Sequence, residues 1–114
     1  MYMVLLVLDN PDLLDDVLES WDNAGIRSAT IMESTGFHRV RRKSMPMRYL
    51  FHPSEYMEEG HLTLFVIVPS EETVQNCLHA TEAVVGSLDD PNTGVFASWP
   101  LATVAGVRTK PREE

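Results

Sequence analysis

The 114-residue chain has one cysteine, Cys77, and only nine lysines and arginines against seventeen aspartates and glutamates. A single cysteine cannot close an internal disulfide, which excludes a disulfide-stapled scaffold and makes a cytoplasmic setting the expectation. Long apolar runs are also lacking. None approaches the roughly 18 to 20 apolar residues of a membrane span, so no membrane insertion is expected. Met1 to Leu8 is apolar, but no base precedes it and acids follow directly, so it is not expected to be a signal peptide. The four histidines, His38, His52, His61 and His79, form no His-x-x-x-His pair, and there is no Cys-x-x-Cys. No zinc site is therefore legible from spacing. Repeats and low-complexity segments are absent as well.

What is there is an ordinary balance for one globular domain, with 44% apolar and 23% charged residues. The length suffices for one core and is too short for two. The net charge of −8 argues against nucleic-acid binding, because phosphate affinity needs a positive surface. The charge is also segregated. Five of the nine bases, Arg39, Arg41, Arg42, Lys43 and Arg48, fall within ten residues, whereas Asp9, Asp12, Asp15, Asp16, Glu19 and Asp22 crowd another window. The basic island reads either as a solvated loop or as a local field for an anion or acidic partner. The acidic run reads as a solvated helix face.

Tyr2 to Leu8 is a near-continuous apolar run of strand length. Asn10-Pro11-Asp12 then opens a helix with a capping side chain, a proline suited to the first position and an early acid. Leu13, Leu14, Val17, Leu18 and Trp21 recur at helical spacing, and Gly25 is placed to end the helix. Ile26 to Met32 reads as a second strand, followed by a long connection from about His38 to Gly60. Connections of that length are functional or disordered in compact domains. His61 to Val68 reads as a third strand that Pro69 stops. Ser70 caps a second helix whose apolar positions are Val74, Cys77, Leu78, Thr81, Val84 and Val85, with Gly86 at its end. Asp89 to Gly94 is turn chemistry, and Val95 to Trp99 reads as a fourth strand. Leu101 to Val107 fits either a short edge strand or an extended tail, and 110–114 is expected to fray.

This order predicts an α+β, ferredoxin-like βαββαβ domain over 1–109, a four-stranded antiparallel sheet with both helices on one face. Leu5, Val7, Leu64, Val66 and Val68 alternate with Leu6, Leu8, Phe65 and Ile67, so both faces of the central strands are apolar. A lone domain would expose a large patch, and assembly through the sheet is the simplest remedy. A nucleophile beside a base, or paired carboxylates in a cleft, is not legible, so no enzyme is expected. Trp99 before Pro100 reads as a core cap or as a stacking surface for a base.

Several segments resemble the PII-type nitrogen regulatory proteins. Thr30 to Arg39 (TIMESTGFHR) is similar to that family's strand ending in Gly-Phe-Gly-Arg before its partner-binding loop. Gly94-Val95-Phe96, Pro100 and the run to Val107-Arg108-Thr109 are similar to its last strands. The resemblance implies a homotrimeric signalling protein that senses a small anionic ligand, such as an adenine nucleotide, between subunits. It would place Gly36, Phe37, Arg39, Thr93, Gly94 and Arg108 at the ligand. It would also place Arg41, Arg42, Lys43, Arg48 and Tyr49 in a 38–60 loop that engages a target protein. Such coupling requires the ligand to favour one of two loop states. The family's Gly-Asp-Gly-Lys turn corresponds here to Pro91-Asn92-Thr93-Gly94, its first C-terminal arginine to Gly106, and its metal-holding glutamine to Val40. A ligand other than the family's usual one is therefore expected, with no cofactor named. The copper-tolerance proteins share the trimeric architecture, and as the alternative His38, His52 and Met45 or Met47 would ligate a metal.

Overall fold

In the computed structural model, residues 1–34 and 61–107 are described. They form β1 (Tyr2–Leu8), a 3-10 turn (Pro11–Leu13), α1 (Leu14–Asn23), β2 (Thr30–Ser34), β3 (His61–Val68), α2 (Glu71–Val85) and β4 (Gly94–Pro100). The sheet runs β2-β3-β1-β4 with every neighbouring pair antiparallel. This order is compatible with a ferredoxin-like fold, as the alternation of elements predicts.

Local chemistry explains the boundaries. Asn10 accepts a hydrogen bond from the Asp12 N–H at 3.0 Å, and Pro11 follows, so the chain enters a 3-10 turn before α1 begins. At the other end the Gly25 N–H donates to the Asp22 carbonyl and the Ile26 N–H to the Trp21 carbonyl, at 3.0 and 2.8 Å. This is a Schellman closure, which needs the left-handed backbone that Gly25 supplies with φ +89°. It also corrects the expected second strand. Ile26 is buried as the residue that closes α1, and pairing with β3 starts only at Thr30 and runs to Ser34. In α2, the Ser70 hydroxyl accepts from the Thr73 N–H, and Glu71 and Glu72 occupy the positive first turn.

The strand period of two divides β1 and β3 cleanly. Val4, Leu6 and Leu8 together with Leu64, Val66 and Val68 are buried beneath the helices, which contribute Val17, Trp21, Val74, Cys77 and Thr81. The two helices are joined by buried polar contacts. The Trp21 indole N–H donates to the Thr81 hydroxyl at 2.8 Å, and that hydroxyl donates to the Cys77 carbonyl, also at 2.8 Å. The Ser20 hydroxyl donates to the Ala80 carbonyl at 2.8 Å. The buried Trp21 indole N–H and Thr81 hydroxyl are thus both satisfied.

Beyond β4, the Leu101 N–H continues the ladder to the Met1 carbonyl, and the residues to Val107 form no further strand. The edge-strand alternative for Leu101–Val107 is therefore not realised. Among the described residues no helix is long and apolar enough to cross a membrane.

Candidate functional site

The first candidate feature is the sheet face opposite the helices. Register places three rows there: Ile67, Met3 and Trp99; Thr30, Phe65, Leu5 and Ala97; Met32, Thr63, Val7 and Val95. Nine of these eleven are apolar, the other two are threonines, and none is charged. Met32, Val95 and Trp99 are 53%, 56% and 42% exposed in the single chain. Trp99 therefore lies on this outer face, which overturns the core-cap alternative. The central strands are apolar on both sides, yet the helices cover only one.

The second feature is one end of the sheet. The antiparallel register brings Ser34, His61, Leu8 and Gly94 to the same end, in adjacent strands. Ser34 and His61 face each other, so residues 35–60 leave and return at a single point. The Thr93–Gly94 turn sits three strand spacings away, about 14 Å at 4.7–4.9 Å per strand. Gly94 has φ +140°, and a Cβ on it would drive into the carbonyl oxygen of Val7. Its conformation thus locks the start of β4 tightly against β1. Thr93 donates its hydroxyl to the Asp90 carbonyl at 2.9 Å. Of the residues implicated by resemblance, Thr93 and Gly94 come to this end together. Gly36, Phe37, Arg39, Arg41, Arg42, Lys43, Arg48, Tyr49 and Arg108 lie outside the described residues, as do His38, Met45, Met47 and His52 of the metal reading.

The electrostatics of the described residues are one-sided. Arg27 is their only arginine or lysine, against twelve carboxylates. It pairs with Asp22 at 2.6 Å on the surface, between α1 and β2 and hence away from the Thr93–Gly94 end. Neither helix carries a lysine or arginine. An anion at the Thr93–Gly94 turn would have to draw its cationic partners from residues such as Arg39 and Arg108. Among the described residues no group of three or more acidic, histidine or cysteine side chains is placed to hold a metal.

The third feature was not legible in the sequence. A shallow groove of about 400 Å³ lies between the helices, lined by Ser20, Asn23, Ala24, Asn76, His79 and Ala80. Helical spacing showed these positions to be off the core face, but only the mutual rotation of α1 and α2 brings them together. The thiol of Cys77 lies beneath the helices. Burial pushes it from its ordinary value of 9.0 up to about 12, partly offset by the neighbouring Thr81 side chain, so it stays protonated and unreactive.

No family model matches the chain, and no curated protein matches it.

Proposed function

We propose that this protein is a homotrimeric, non-enzymatic regulator of the PII-like type. It binds a small anionic ligand, an adenine nucleotide being the first candidate, and engages a target protein through residues 38–60. The observation that carries this reading is the uncharged, apolar outer face of the sheet. A monomer leaving that face in water would expose an unusually large apolar patch. The helix layers, dense in carboxylates, repel one another, so copies approach most favourably through the face without charge. Apolar burial at about 25 cal/mol per Å² supplies the driving force.

The sheet end gives the reading its functional half. The roots of the 35–60 segment and the Thr93–Gly94 turn lie on one side of the molecule. A ligand held there is positioned to favour one arrangement of the segment over another, which is the differential affinity that regulation requires. The nitrogen-regulatory role and the cytoplasmic setting belong to the same proposal.

The test is a melting-temperature series on the full chain with ATP, ADP and AMP. A ligand that binds only the folded protein raises the melting point by mass action. A rise with at least one nucleotide is expected, and it should be lost in Arg39→Gln or Arg108→Gln. No rise with any of the three would discard the nucleotide reading.

A further inference from the structure

We draw no further inference here: the strongest candidate, the shallow groove between α1 and α2 lined by Ser20, Asn23, Ala24, Asn76, His79 and Ala80, holds no lysine, arginine or carboxylate in its lining, and nothing in the structure shows what covers it.

Discussion

The buried contact between the helices rests on three residues. Thr81 sits in the interior of α2, where threonine has no propensity advantage, and its hydroxyl both accepts from Trp21 and donates to Cys77. Thr81→Val keeps the shape and removes both bonds, leaving the indole N–H unsatisfied in the core. A loss of about 1–3 kcal/mol is expected, measurable by urea denaturation, with Trp21→Phe in the same background adding less than it does alone. Cys77 provides a second reading of the same core. Its folded ionisation lies near 12 and its unfolded one near 9.0, so the unfolded state holds fewer protons between those values. Stability from this group is complete below pH 9 and falls by about 1.4 kcal/mol per pH unit above it. Thiol alkylation at pH 8 should accordingly proceed only through opening, at a rate that rises with denaturant. Fast labelling without denaturant would contradict the buried placement.

Among the elements, α1 and α2 were legible because each combines one clear period with chemical end signals, and β3 because an apolar run of strand length is stopped by Pro69. For α2 the end signals are Ser70 before the helix and Gly86 after it. The second strand was misplaced because Ile26 carries a strand-like signal while serving as the apolar residue that closes α1 against Trp21. Its fate depends on a helix end three-dimensionally folded back, which periodicity does not register. The groove escaped for a related reason: which polar faces of two helices meet is a matter of packing angle. The start of β4 depends on Gly94. Gly94→Ala forces a methyl group against the Val7 carbonyl and a backbone that alanine rarely adopts. A loss of more than 1 kcal/mol is expected, together with faster amide exchange at Val95 and Ala97. The open edge of β4 is moderated by Pro100, which has no N–H to offer another strand.

At the scale of the whole molecule, two asymmetries organise the account. One side of the sheet is covered by acidic helices, and the other, among the described residues, carries neither helix and has no charged residue in its three rows. Twelve of the seventeen carboxylates lie in residues 1–34 and 61–107, together with just one of the nine bases. The two-sided apolar character of β1 and β3 was visible in the sequence, since strands with no polar alternation announce burial on both faces. Which face the helices take, and that Met3, Leu5, Val7 and Phe65 remain for another surface, required the register. Association through that face is the central claim, and Phe65→Glu should weaken it by placing a charge at its middle while leaving the helix-covered core intact. Sedimentation equilibrium of the unmodified chain tests the claim most directly. A species of three times the 12.9 kDa chain mass is the predicted result, and a 12.9 kDa monomer across the accessible concentration range would contradict it.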